Sequence, residues 1–149
     1  MKVFKDYFSY LIRHKWLVFK YCYTYGITWQ GITHDLSKFL PSEFIEYSKY
    51  FASGKKTDIE YKWLDHLHRN KHHWQYWILL DNEGGQRALE MPKKYILEMI
   101  SDWLSVAVIE HGSRGAIDWV KNWYNNRKDK VIIHPKSRQI LEKELGKLW

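Results

Sequence analysis

An all-α fold, a helical bundle of about six or seven helices, is what this sequence predicts. Three observations carry that expectation. Apolar residues recur at three- and four-residue spacing, turn signals return at intervals, and no segment sustains the period-two alternation of a half-buried strand. No sheet is expected.

Each element follows from local pattern. The segment from Phe4 to Tyr25 carries a helical stripe through Phe4, Phe8, Leu11, Val18 and Cys22, and Gly26 closes it. Thr28 can cap a second helix running to about Phe39, and Pro41-Ser42 starts a third that ends near Gly54. Thr57 and Glu60 have capping-box spacing for a long fourth helix reaching about Leu80. The stretch from Asp81 to Met91 contains Gly84-Gly85 and reads as a loop. Pro92 opens a fifth helix that Gly112 ends, and two more run from about Ala116 to Arg127 and from Pro135 to Lys147. With no internal repeats, the 149 residues read as one domain, 1–149, with a core over about 3–111 and a C-terminal helical extension over 112–149.

Composition narrows the function classes. The net charge of +7 points to an anionic partner, a nucleotide, another phosphorylated small molecule or a nucleic acid, yet the basic residues are spread along the chain. Aromatic residues make up 17%, nine Trp and eleven Tyr among them, and interleave with basic ones in Arg69 to Trp77 and Trp119 to Lys130. Base stacking is one use for them; filling the core of a Leu-poor helical domain is the stronger one. Cys22 is the only cysteine and lies on an apolar stripe, so an internal disulfide is excluded and a reducing compartment is expected. No run of about 18 apolar residues occurs, so a soluble, cytoplasmic protein without a membrane partner is expected.

Two polar residues interrupt apolar faces. His14 follows Leu11 by three residues and precedes Val18 by four; Asp102 has the same relation to Met99 and Val106. Both therefore point inward. A buried, unpaired charge costs several kcal/mol, so Asp102 requires a metal, a cation such as Arg13 or Lys38, or a dense set of hydrogen bonds.

With the adjacent pair His34-Asp35, these residues form a pattern that resembles the HD-domain superfamily of metal-dependent phosphohydrolases. In that family an isolated His, a His-Asp pair and a downstream Asp occur in the order seen here in His14, His34-Asp35 and Asp102. The string His34-Asp35-Leu36-Ser37-Lys38 is similar to the family's His-Asp-hydrophobic-Gly-Lys, with Ser37 in place of Gly. The longer strings from His34 to Phe44 and from Asn70 to Gln75 resemble signatures of a small family common in phage and bacterial genomes. The resemblance spans about Leu11 to Glu110. It implies an HD-like helical fold and a divalent ion (Mn, Fe, Co, Ni or Zn) held by His14, His34, Asp35 and Asp102.

The fourth helix carries His66, His68, His72 and His73. Helical geometry puts His66, Asn70, His73 and Trp77 on one stripe and His68 and His72 on another, so His66 and His73 are assigned to the site and His68 to solvent. His72 fits either side. Some HD branches add histidines for further ions, which makes His66, His72 and His73 candidates for a second metal. Their alternatives are hydrogen bonding to substrate phosphate and support of the aromatic cluster.

The function implied is hydrolysis of a phosphoester or phosphoanhydride, with a nucleotide as the leading substrate class. Lys38 lies one turn after His34-Asp35 and suits developing phosphoryl charge, or else a salt bridge to Asp35 or Glu43. Asp35 would hold the metal, Glu43 would act as general base or merely cap its helix, and His66 or His73 would protonate the leaving oxygen. Arg13, Arg69, Asn70 and Arg127 are candidates for substrate contacts. Two other classes remain: a non-catalytic nucleotide or nucleic-acid binding module, and a phage-type host-interaction protein. Metal content separates the first of these from a hydrolase; a complex that survives loss of the metal residues marks the second.

Overall fold

Leu11, His14, Val18 and Cys22 follow one another at helical steps, and with Tyr7 they become the buried side of α1 (Lys2–Thr24). Phe4 and Phe8, expected on the same stripe, are exposed. The inward position at that end is taken by Tyr7, one residue earlier than Phe8, while the Phe4 and Phe8 rings lie against Phe44. Around α1 are arranged α2 (Thr28–Thr33), α3 (Pro41–Ser53), α4 (Glu60–Arg69), α5 (Lys93–Asn125) and α6 (Pro135–Gly146). The computed structural model describes residues 2–55 and 59–148, so Thr57, half of the expected capping box, lies outside the described residues. Helix α1 packs on α5, α2 and α3, and α6 packs on α5.

The helical expectation holds in class: the chain is an all-α domain with one minor sheet. Two helices are shorter than expected, each at a place that matters for the site. Helix α2 ends at Thr33 instead of near Phe39, and Thr28 is its first residue; Ile27 precedes it with no side-chain cap. The chain then turns through His34 and Asp35 into a short 3₁₀ helix over Leu36–Phe39. Asp35 has φ 50°, a left-handed conformation that Asp tolerates better than most residues. Helix α4 ends at Arg69 instead of Leu80. There the Asn70 backbone turns extended (φ −103°, ψ 105°), and its N–H and its side-chain amide both donate to the His66 carbonyl (3.0 Å and 2.9 Å). A turn, a 3₁₀ segment over Trp74–Trp77 and strand β1 (Ile78–Leu80) follow.

The expectation of no sheet is corrected by β1 pairing antiparallel with β2 (Gln86–Ala88), with Leu79 opposite Arg87. Asp81 and Gly85 close the hairpin, and Gly84 supplies a positive φ of 91°. Three-residue strands are too short to show alternation in sequence. Gly112, expected to end a helix, has non-helical backbone angles (φ 77°, ψ 163°) and breaks α5 there. Residues beyond that break, including Val120, Tyr124, Leu141 and Leu145, share one apolar cluster with Ile96, Met99 and Leu104. The Ser137 hydroxyl donates to the Met91 carbonyl and accepts from the Met91 N–H, fastening α6 to the entrance of α5. Among the described residues no helix is long and apolar enough to cross a membrane. Cys22 is fully buried, and that burial pushes its thiol up to about 11.

Gly31 allows α2 to lie against α1. A Cβ there would sit 2.9 Å from the Phe19 Cα and 2.9 Å from the Cys22 Cβ. Beside this contact the Lys15 ammonium donates to the carbonyls of Gly31 (3.2 Å), Ile32 (2.6 Å) and His34 (2.6 Å), satisfying groups at the end of α2. Gly31→Ala is therefore expected to destabilise the protein by roughly 1–3 kcal/mol, the usual cost of overpacking against backbone. Urea denaturation checks it; an unchanged midpoint would show that the helices have slack.

Candidate metal centre

Helical phase delivers the first two groups. On α1, His14 is buried between Leu11 and Val18, and on α5 Asp102 faces it with His14 Nε2 3.4 Å from Asp102 Oδ1. The turn after α2 brings His34, whose Nε2 lies 3.9 Å from the same Asp102 oxygen and 3.5 Å from Asp35 Oδ2. His14, His34, Asp35 and Asp102 thus meet, as expected, although the His34-Asp35 pair comes from a turn and not from a helix. The left-handed residue is the one that carries the carboxylate.

The early end of α4 brings in the remaining histidines. His66 stays on the helix, and the turn after Asn70 folds His73 back so that the two Nε2 atoms are 3.0 Å apart. His66 Nε2 and His72 Nε2 lie 3.4 Å and 3.5 Å from Asp35 Oδ1. His72, which a continuous helix left ambiguous, is buried, while His68 is exposed as expected. Among the described residues three groups have ligand atoms close enough to hold a cation: His14, His34 and Asp35; His66, His72 and His73; and His34, His72 and Asp102, which shares a residue with each of the first two. Asp35 lies between the first two groups.

Hydrogen bonding assigns the imidazole faces. The Ser105 hydroxyl donates to the Asp102 carbonyl (2.8 Å), so in its 2.6 Å contact with His14 Nδ1 it accepts, and the proton of neutral His14 is on Nδ1. Glu98 Oε1 takes the Nδ1 hydrogens of both His34 (3.0 Å) and His72 (3.2 Å). That leaves the Nε2 lone pairs of three imidazoles facing inward. His14 Nε2, His34 Nε2, His72 Nε2 and Asp35 Oδ1 are all buried without a hydrogen-bond partner. An acceptor-rich enclosure of this kind can hold a cation, and rings oriented through Nδ1 by a carboxylate and a hydroxyl have the orientation that metal-ligating rings take.

Charges inside the centre are strongly coupled. Burial works against the Asp35 carboxylate, but His34, Lys38, His66 and His72 outweigh it and hold its pKa well below the ordinary value. The Lys38 ammonium, 2.6 Å from Asp35 Oδ2, stays protonated: Asp35 raises its pKa against the effect of burial. Burial lowers His14 to about 4 and His66 to about 3, and it also lowers His73. Burial likewise disfavours a charged His72, but the hydrogen bond to Glu98 and the nearby Asp35 raise its pKa overall.

A pH dependence follows. His14 and His66 titrate near 6.5 when unfolded and near 4 and 3 when folded, so the unfolded chain binds protons first as the pH falls. Their neutral burial is compatible with full stability above about 6.5, and stability is lost as the pH falls through that value toward 4 and 3. The raised pKa of His72 has the opposite slope, but it opposes three lowered histidines, His73 among them. The melting temperature of metal-free protein is expected to fall between pH 6.5 and 4, and a flat profile there would contradict neutral burial of His14 and His66.

The other expected site residues are placed unevenly. Glu43 is buried, accepts from Ser37 (3.0 Å) and lies 3.7 Å from His66 Nδ1, behind the histidines; it makes no side-chain cap. Asn70 donates to His66, and Arg69 is 60% exposed and reaches Glu43 at 3.5 Å. Arg13 is exposed on α1. Arg127 lines a cleft of about 420 Å³ that reaches the centre at His73 and Asp102. Sequence reading missed Glu98, Ser105, Lys15 and the buried, unpartnered hydroxyls of Tyr7 and Tyr47. A signal for two of these existed: Glu98, Asp102 and Ser105 recur at i, i+4 and i+7 on one stripe of α5.

A family model matches residues 3–147, nearly the whole chain. The chain belongs to DUF5662, a family of unknown function. No curated protein and no solved structure matches it. For this DUF5662 member the chemistry of the site therefore rests on its own geometry, the buried lone pairs above all.

Proposed function

We propose that this protein is a divalent-metal-dependent phosphohydrolase of the HD-domain type, acting on a nucleotide or a related phosphoester or phosphoanhydride. The observation that carries the reading is the convergence of three unpartnered imidazole Nε2 atoms and one unpartnered carboxylate oxygen in a buried space. The order His14, His34-Asp35, Asp102 along the chain, similar to the HD superfamily, supports it. His14, His34, Asp35 and Asp102 would hold one ion, and His66, His72 and His73 a second, with Asp35 between them. Bound there, Mn, Fe, Co, Ni or Zn supplies Lewis acidity and a water acidic enough to react near neutral pH.

The chain's own groups do the rest. Glu98 and Ser105 fix the ring planes of His34, His72 and His14. Lys38 uses one N–H on Asp35 and has two more for phosphoryl oxygens. With no second ion bound, the proton that His66 and His73 share between their Nε2 atoms can pass to a leaving oxygen. Asp102, whose side chain is 16% exposed, marks the side from which substrate enters. The single buried thiol suits a cytoplasmic setting.

A second reading has one observation in its favour. The Lys38 ammonium already neutralises one Asp35 oxygen without a metal, as a non-catalytic nucleotide or nucleic-acid binding module would need. Elemental analysis of protein purified without chelator, followed by a phosphohydrolase screen with added Mn²⁺ or Co²⁺, separates the two. The hydrolase reading expects bound metal and turnover. Metal-free protein that binds nucleotide in a salt-sensitive way and hydrolyses nothing supports the module.

A further inference from the structure

Four indole rings line the cleft where the metal centre opens. Trp63 of α4, Trp74 of the segment that follows, and Trp103 and Trp123 from the two sides of the Gly112 break all line the cleft of about 420 Å³ that His73 and Asp102 also line. That volume lies within the range of small-molecule sites. A cleft that only completed the core would have its polar groups satisfied, but Gln75, in the same lining, keeps its Oε1 buried without a hydrogen-bond partner. An orphaned acceptor of this kind is satisfied when a ligand donor arrives. The lining also holds Arg127 and Lys130, with Asp102 as its one acidic residue, so the ligand is anionic. The Arg127 guanidinium lies 5.3 Å from the Trp123 ring centroid, fixing that ring while keeping its charge at the cleft.

We propose that this cleft is a nucleobase subsite: it takes the planar heteroaromatic ring of a nucleoside monophosphate among the indoles, with an exocyclic amine donated to Gln75 Oε1 and the phosphate at the metal centre. The position of the phosphate rests on the hydrolase reading above; the ring subsite rests on the indoles and Gln75. Trp123, Arg127 and Lys130 all lie beyond the Gly112 break, so the C-terminal extension serves as a wall that selects substrate. It is more than an appendage to the metal-binding part. Stacking contributes about 1–3 kcal/mol per base in aromatic sites that bind nucleic acid, enough to dominate selectivity between a base-bearing phosphate and a bare sugar phosphate.

The test compares two non-hydrolysable ligands by calorimetry on Mn²⁺-loaded protein: the methylene phosphonate analogues of adenosine 5′-monophosphate and of ribose 5-phosphate. The adenosine ligand is expected to bind about tenfold more tightly or better. Trp123→Ala is expected to bring the ratio of the two affinities toward one, and Gln75→Leu to reduce it about fivefold through the lost hydrogen bond. Because Trp123 also packs against Trp103, the Gln75 variant decides the matter if the first does not fold. Equal affinities in the wild type, or a ratio that Gln75→Leu leaves unchanged, overturn the subsite. If the ratio behaves as expected but no phosphoester is hydrolysed, the subsite stands and the hydrolase reading falls; turnover with a ratio of one gives the reverse.

Discussion

Asp35→Asn is expected to bring bound metal down to background and to abolish phosphoester hydrolysis. The substitution isolates charge from shape, because Asn tolerates the left-handed backbone at φ 50° about as well as Asp, whereas Ala would add strain. Asp35 presents Oδ1 to His66 and His72 and Oδ2 to His34 and Lys38, so its carboxylate serves both candidate ion positions. An amide cannot replace it. The variant should also lose the stabilisation that metal confers on the wild type, about 2.7 kcal/mol when free metal exceeds its dissociation constant a hundredfold. Melting curves with and without Mn²⁺, alongside elemental analysis, give the readout. An Asn variant that keeps a full complement of metal would remove Asp35 from the ligand set.

Lys38→Ala is expected to divide the two roles of that lysine. If its free N–H groups meet developing phosphoryl charge, kcat falls roughly 10²–10³-fold while metal content holds, as when one preorganised donor is removed. The 2.6 Å ion pair adds a second effect. Without metal, Lys38→Ala leaves the buried Asp35 short of its nearest cation, and breaking such a pair costs about 3–5 kcal/mol. With metal bound, the ion takes over that neutralisation. The melting temperature of the variant should therefore drop sharply in the metal-free protein and much less in the loaded one. Equal drops in both forms, with kcat unchanged, would make Lys38 a structural counter-ion only.

The candidate centre was partly legible in sequence because two of its residues obey a local rule. His14 and Asp102 sit at i+3 and i−4 from apolar neighbours on uninterrupted stretches of helix, where phase alone sets direction. Glu98 lies one turn before Asp102 on the same stripe, yet its role depends on His34 and His72, which come from two distant turns. For the histidines after His66, helical phase alone left His72 undecided, for a physical reason. Asn70 turns its side chain onto the His66 carbonyl, the helix stops at Arg69, and helical phase no longer sets the direction of the residues after it. His73 still reaches His66, and His72 becomes buried instead of ambiguous.

The sequence by itself determined the all-α class, the helix starts at Pro41 and Pro135, the punctuation at Gly26, Gly54 and Gly112, and the inward direction of His14 and Asp102. Each depends on the 3.6-residue repeat or on the backbone preferences of one or two residues, properties that survive without knowledge of the fold. The tertiary structure alone decided that Asp35 would lie between two histidine groups, that one Glu98 oxygen would orient two rings, and that indoles from both sides of the Gly112 break would line one cleft. These depend on how segments far apart in the chain pack together, and the close approach of α2 to α1 at Gly31 is one such contact. No local pattern encodes the distance between two segments that meet only when the core closes.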